Sequence, residues 1–273
     1  MDGRARGIDV SHHNGTMDWS KVAQAGISFA FAKASQGADP GKDDQTFSDN
    51  WQGMKEAGIV RGAYHFIGLP SASTPPSQWN DELHKQIDHF LGLVGPPQAG
   101  DLPPTLDFED GDSPARWKAL IASNRTAALS TVREFITYTA TQLRGTLPVI
   151  YTGNFWWGEL GNPDPLQDSM PFSAYPLWLA QYPTGMHNPS PVPGPQGSTD
   201  RGEARDFTEY AAHLDGHQPL HIPKVWGAPG ASVWKFWQFS EYGRMPNLTS
   251  GFVDLSVFNG SLEDLQEFCI PSA

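Results

Sequence analysis

Short apolar runs alternate along this chain with longer stretches of mixed apolar and polar residues. The runs at 8–10, 27–32, 59–66, 105–109, 148–152, 177–181, 233–239 and 252–255 have the length and composition of buried strands. Between the first five, the mixed stretches have helical character. They are 18–25 with Asp18 as a cap, 46–57 ended by Gly58, 77–94 after a Ser/Pro-rich loop, and 114–143 with room for a break. Regular strand–helix alternation predicts a parallel sheet. The last three strands are joined by segments with little helical periodicity. The pattern predicts an α/β single domain, an irregular TIM-like barrel with five strand–helix units followed by three strands.

Residues 1–6 read as an N-terminal extension, 7–268 as the barrel and 269–273 as a tail. Segment 183–230 is long, polar and rich in Pro and Gly, and reads as an insertion. Loops of that length inside a compact domain are usually functional or disordered. Both a loop over one barrel face and a partly mobile flap fit it, and so does a decorative insertion.

Length agrees with this architecture, since 273 residues suit one barrel of about 250. The formal charge of −12, with no basic run anywhere, argues against nucleic acid and anionic membranes as partners. A single cysteine, Cys269, excludes an intrachain disulfide and a thiolate metal site. No window approaches the roughly 20 apolar residues of a membrane span, and the first residues lack an apolar signal core. Ten Trp, fifteen Phe and seven Tyr are many for this length. Most belong in a core, and the surplus suits a groove for a flat, partly apolar ligand such as a sugar.

In barrels of this kind the active site lies at the C-terminal ends of the strands. Those ends carry Asp9, Lys33, Tyr64 with His65, Asp107 with Glu109, Tyr151, Gln181 with Tyr182, Gln238, and Asp254. Asp107 and Glu109 alternate on one strand, so their side chains point the same way, about 6.5 to 7 Å apart. Repulsion and burial then raise carboxyl pKa values, and one acid can keep its proton near neutral pH. Cleavage of a glycosidic bond needs such a donor. The competing reading is an acidic strand end running into the loop 110–112. Asp9, between Ile8 and Val10, is either paired with a cation such as Lys33 or functional. Asp254 repeats that pattern on the last strand. His213, His217 and His221 are spaced by four, but Gly216 and Pro219 argue against a helix there, and they read as loop residues. His12 and His13 follow Asp9 and read equally as loop or site. No phosphate-binding glycine loop precedes a helix, and no nucleophile elbow occurs.

The segments 7–11, 18–19, 31–37, 58–66, 107–109, 148–152, 177–182, 237–240 and 253–254 occur in an order that resembles glycoside hydrolase family 25 lysozymes over almost the whole chain. The resemblance implies hydrolysis of the β-1,4 bond between N-acetylmuramic acid and N-acetylglucosamine in bacterial peptidoglycan. It implies Glu109 as proton donor, Asp107 beside it at the substrate's N-acetyl group, and Asp9 and Asp254 as the other acids. Tyr64, Tyr151 and Gln238 fall on sugar-contacting positions, with Lys33 and Tyr182 as further candidate contacts. No metal or organic cofactor is expected. Retention of configuration with acetamide assistance is expected, as are a monomer and action on the cell wall outside the cytoplasm. Two rival readings are a chitinase-like hydrolase, whose longer acid run is interrupted here by Thr105, and a non-catalytic sugar-binding barrel. A metal-dependent deacetylase is a third, for which Gly216 breaks the one candidate helix.

Overall fold

The computed structural model describes residues 3–37, 39–71, 73–96, 98–109, 114–162, 170–186, 199–214, 216–227, 233–245 and 251–272. Eight strands close a barrel in chain order: β1 Arg6–Val10, β2 Phe29–Gln36, β3 Val60–Phe66, β4 Thr105–Phe108, β5 Val149–Gly153, β6 Leu177–Ala180, β7 Trp234–Gly243 and β8 Val253–Phe258. β1 to β7 pair in parallel, whereas β8 pairs antiparallel with both β7 and β1. The expectation of a parallel sheet is corrected at this last strand. Only residues 244–252 join β7 to β8, fewer than the dozen or so that a parallel crossover needs.

Among the described residues eight α-helices surround the strands: α1 Trp19–Gln24, α2 Phe47–Glu56, α3 Trp79–Val94, α4 Pro114–Ser123, α5 Arg125–Gln142, α6 Asn154–Glu159, α7 Phe207–His213 and α8 Leu262–Phe268. Asp18 caps α1 by accepting from Lys21 N at 3.2 Å. Gly58 follows α2 with φ of 73°, a backbone region that favours glycine. The long helical stretch breaks at Asn124, whose side chain accepts from Ala127 N and starts α5.

The apolar residues form two layers. Ile8, Val10, Ala30, Ala32, Leu106 and Ile150 face the helices, while Phe29, Phe31, Val149, Tyr151, Trp178, Phe236 and Phe258 fill the barrel. Phe31 stacks on Trp178 at 4.2 Å, and Phe29 meets Phe236 edge-on at 5.2 Å. Ala5 and Cys269 are buried in the same inner cluster, and β1 begins at Arg6. Ala5 and Cys269, which lie in the segments read as an extension and a tail, thus pack at the barrel floor. Burial pushes the Cys269 thiol up to about 11, which keeps it unreactive.

The described parts of segment 183–230 form the crossover that the parallel β6–β7 pair requires. Residues 199–205 are stitched to both neighbouring strand ends. Gly185 N donates to Arg201 O and Met186 N to Gly202 O on one side; Arg244 N donates to Arg205 O on the other. α7 follows, capped by Asp206, and packs Phe207 and Tyr210 on Phe239. A helix here corrects the expectation of loops alone. Residues 187–198, 215 and 228–230 lie outside the described residues, as does the loop 110–112.

Candidate active site

The barrel is aromatic at its floor and acidic at its mouth. Side chains two residues apart on a strand share a face, so the rows begun by Phe29 and Phe31, Val149, Trp178 and Phe236 continue upward. They end in Lys33, Tyr151, Ala180 followed by Tyr182, and Gln238. On β4 the inward row ends in Asp107, paired in register with Tyr151, and Glu109 follows just beyond the strand. Asp9 on β1 lies opposite Asp254 on β8. Because β8 runs backwards, Asp254 reaches the mouth from the start of its strand.

Gln238 stands at the centre. Its Nε2 donates to Asp9 Oδ2 at 2.9 Å, while its Oε1 accepts from Tyr151 OH at 2.7 Å and Tyr182 OH at 2.6 Å. Asp9 also shares a hydrogen bond with Asp254. Gln238, Asp107 and Asp9 are 2, 5 and 6% exposed, whereas Glu109 and Asp254 are half-buried.

Burial decides the electrostatics. It raises Asp9 to about 6, against the opposing hydrogen bonds from Gln238 and Asp254. It holds Asp107 well above the usual carboxylate range, with repulsion from Glu109 and Asp9 adding and Lys33 opposing. Asp254 is raised likewise by burial, then by Asp9, Glu241 and Glu109. Burial and the surrounding acids keep Tyr64, Tyr151 and Tyr182 firmly protonated. Asp107 Oδ1 is buried without a hydrogen-bond partner. A buried acceptor left open in this way suits a donor brought by a ligand.

All nine residues expected at the site converge on the mouth, with two differences. Gln238, expected as a sugar contact, is buried with its amide engaged by protein groups. Asp9 meets Gln238 and Asp254 rather than a lysine; Lys33 donates to Gln36 at 2.6 Å and lies over the Phe66 ring. His65 points outward, between Ser35 at 2.9 Å and Gln86 at 3.4 Å, and burial lowers it to about 4, so it is neutral and structural. His12 is anchored to Asp44 through its backbone N and its Nδ1, both at 2.8 Å.

The sequence reading missed Asp44, Glu203 and Glu241. Asp44 acts electrostatically on Tyr64, and Glu241 on Tyr182 and Asp254. Glu203, buried in the crossover, accepts from Glu241 N at 3.2 Å, and burial raises it to about 7. None lies in a periodic pattern. Glu241 is turned by register shifts in β7 after Gln238, which a one-dimensional alternation cannot register. Among the described residues no cluster of three or more His, Cys, Asp or Glu is arranged to hold a metal ion.

A closed barrel whose strand ends converge paired carboxyls and sugar-sized aromatics on one mouth defines a glycoside hydrolase of the β/α-barrel class. Comparison narrows the class. Residues 8–248 match the model of glycosyl hydrolases family 25, and the chain belongs to that family. It is 32% identical to lysozyme M1 of Streptomyces globisporus over 259 residues, which are 94% of this chain and 68% of that protein. Its fold matches a bacterial lysozyme from Streptomyces coelicolor with a TM-score of 0.66 at 27% identity, covering 97% of this chain and 96% of the other. A muramidase from Trichobolus zukalii matches with a TM-score of 0.65 at 27% identity, covering 97 and 98%.

Proposed function

We propose that this chain is a lysozyme that cleaves the β-1,4 bond between N-acetylmuramic acid and N-acetylglucosamine of bacterial peptidoglycan, with Glu109 as the general acid. The observation that carries the reading is the convergence of Asp9, Asp107, Glu109 and Asp254 on the mouth of a family 25 barrel. Glu109 is more exposed than Asp107 below it, and so is the better placed of the two to reach a glycosidic oxygen.

The substrate's own acetamide supplies the nucleophile. Its carbonyl oxygen attacks the anomeric carbon as the glycosidic C–O bond breaks and Glu109 protonates the leaving oxygen. Asp107 Oδ1, the open buried acceptor, takes the acetamide N–H and stabilises the positive charge that develops on the cyclised group. Glu109 then removes a proton from water, which opens the ring from the opposite face and restores the acetamide. Two inversions give net retention. Tyr64, Tyr151 and Tyr182 present rings and oxygens to the sugars, and Lys33 sets the field on Asp107. The scheme uses no metal or organic cofactor. All the acids come from one chain, so a monomer suffices, and the substrate places the action at the cell wall.

The test is digestion of purified peptidoglycan with reducing-end analysis by mass spectrometry. New muramic acid reducing ends are expected, with Glu109→Gln at least about a hundredfold slower, the usual scale for loss of a general acid. Intact glycan with the native protein would overturn the reading. Proton NMR of the first-formed product should show the β-anomer; the α-anomer would rule out acetamide participation.

A further inference from the structure

Two carboxyls can share a hydrogen bond only if one of them carries a proton. Asp9 and Asp254 are such a pair, one on β1 and one on β8, in register across an antiparallel ladder. Either could hold the proton as far as their own geometry goes. Gln238 breaks that symmetry. An amide has one end that only donates and one that only accepts. The accepting end is taken by two tyrosine hydroxyls, Tyr151 at 2.7 Å and Tyr182 at 2.6 Å. The donating end therefore faces Asp9 Oδ2, at 2.9 Å. A carboxyl that receives an N–H on one side is stabilised as the anion and accepts the proton of its neighbour on the other.

We propose that Gln238 is a positioning residue that assigns the proton of the Asp9–Asp254 pair to Asp254 and holds Asp9 as the anion, with Tyr151 and Tyr182 locking the amide in the orientation that does so. The chain of donors runs one way, from the two tyrosines to Gln238, from Gln238 to Asp9, and from Asp254 to Asp9. It fixes a single negative charge on the β1 side of the mouth before substrate arrives. A fixed charge of that sign favours the cationic transition state of glycosidic cleavage without reorganising during the reaction. The effect falls on the chemical step rather than on sugar binding, because Gln238 itself is buried beneath the mouth. The kinetic part of this inference rests on the lysozyme reading; the protonation part does not.

The surroundings are mostly acidic. Tyr64 on β3, Asp107 on β4, Glu109 beyond it, Tyr151 on β5, Tyr182 after β6 and Glu241 on β7 all act on this pair or on the residues it contacts, and Lys33 on β2 opposes them at Asp107. Gln238→Glu inserts one more titratable group among them. Protonated, the new carboxyl restores a donor to Asp9 and an acceptor to the tyrosines. Ionised, it places a second anion against Asp9 and removes the donor.

The first experiment is carbon-13 NMR of aspartate side-chain carboxyls in the intact protein, assigned with Asp9→Asn and Asp254→Asn. Over the pH range in which the pair holds one proton, the native spectrum should show Asp9 as carboxylate and Asp254 as acid. In Gln238→Met the two signals should move toward each other. The proton on Asp9 in the native protein, or unchanged signals in Gln238→Met, would overturn the proposal. The second is the pH profile on peptidoglycan fragments. Gln238→Met should lower kcat about tenfold or more, the scale of unpairing a buried hydrogen-bonding group, with KM within about twofold. Gln238→Glu should recover activity as pH falls and lose it as pH rises. A rise in KM at unchanged kcat and an unshifted profile would make Gln238 a sugar contact instead. Should Gln238→Met fail to fold, judged by near-UV circular dichroism, the Gln238→Glu profile still decides between the two.

Discussion

Gly7 and Gly62 face the rings of Phe29 and Phe31 so closely that a methyl group on either would lie 2.2 Å from Phe29 or 2.4 Å from Phe31. Small residues on β1 and β3 thus make room for the two phenylalanines of β2 that fill the barrel, and overpacking there forces off-rotamer rings. Gly7→Ala is expected to destabilise the fold by about 1–3 kcal/mol, read as a lower midpoint in urea unfolding with the slope unchanged. The acids at the mouth act in the opposite sense. Asp107 and Asp254 have pKa values raised by burial, so the folded protein binds their protons more tightly than the unfolded chain does. That contribution to stability is full below the ordinary value of 3.8 and is lost as pH rises through the raised value. Asp107→Asn should therefore melt at a higher temperature than the native protein near neutral pH while losing activity, and its advantage should shrink as pH falls. A variant melting lower at neutral pH would show that Asp107 is paired more favourably than burial allows. His65 reverses the sign. It is lowered from 6.5 to about 4, so its contribution is present above 6.5 and lost as pH falls toward 4. At this scale the Asp107–Glu109 pair was legible, because two acids interrupt an apolar strand and alternation puts them on one face. The task of Gln238 was not, since its partner Asp9 lies 229 positions away and nothing local distinguishes a buried amide from a sugar contact.

Strand and helix positions were legible where the pattern was long. β2 to β5 and the helices between them lie within a few residues of the hydrophobic runs that predicted them, and the break before α5 was anticipated in the length of its segment. Short elements escaped. α7 has seven residues, too few for a helical period to stand out, and isolated helices of that length are not stable in water. Its stability comes from packing on Phe239 and from its cap. Asp206 Oδ1 accepts from Thr208 N at 2.7 Å and Glu209 N at 2.8 Å. Asp206→Ala is expected to cost about 1 kcal/mol and to lower hydrogen-exchange protection first in 207–214, then in the stitched segment 199–205 at the mouth. Loss of protection spread evenly over the barrel would show that α7 is not a separate unit. The direction of β8 was equally hidden, because side-chain alternation reads the same in either direction.

At the scale of the molecule the formal charge of −12 sets how the enzyme meets its substrate. Peptidoglycan carries free carboxylates, so an acidic enzyme approaches a like-charged polymer, and salt shortens the range of that repulsion to about 10 Å at 0.1 M. The rate on intact walls should rise with moderate salt through KM, whereas the rate on short glycan fragments whose carboxyls have been amidated should stay level. Equal salt responses on both substrates would show that charge does not limit encounter. No helix among the described residues is long and apolar enough to cross a membrane.

The pairing of Asp9 with Asp254 joins the first strand to the last. During synthesis the chain emerges from its N-terminus, and β1 waits with an unpaired edge until residue 253 and those after it are made. Until then the mouth lacks Asp254, the ring of strands is open, and Asp9 lacks the neighbour that carries the shared proton. A polypeptide able to cut a cell wall is therefore inert until its last barrel strand is made and gains its centre in one closing event. Ribosome-stalled chains ending before β8 should bind no glycan and cut none, and a separately supplied peptide spanning β8 and α8 should switch them on.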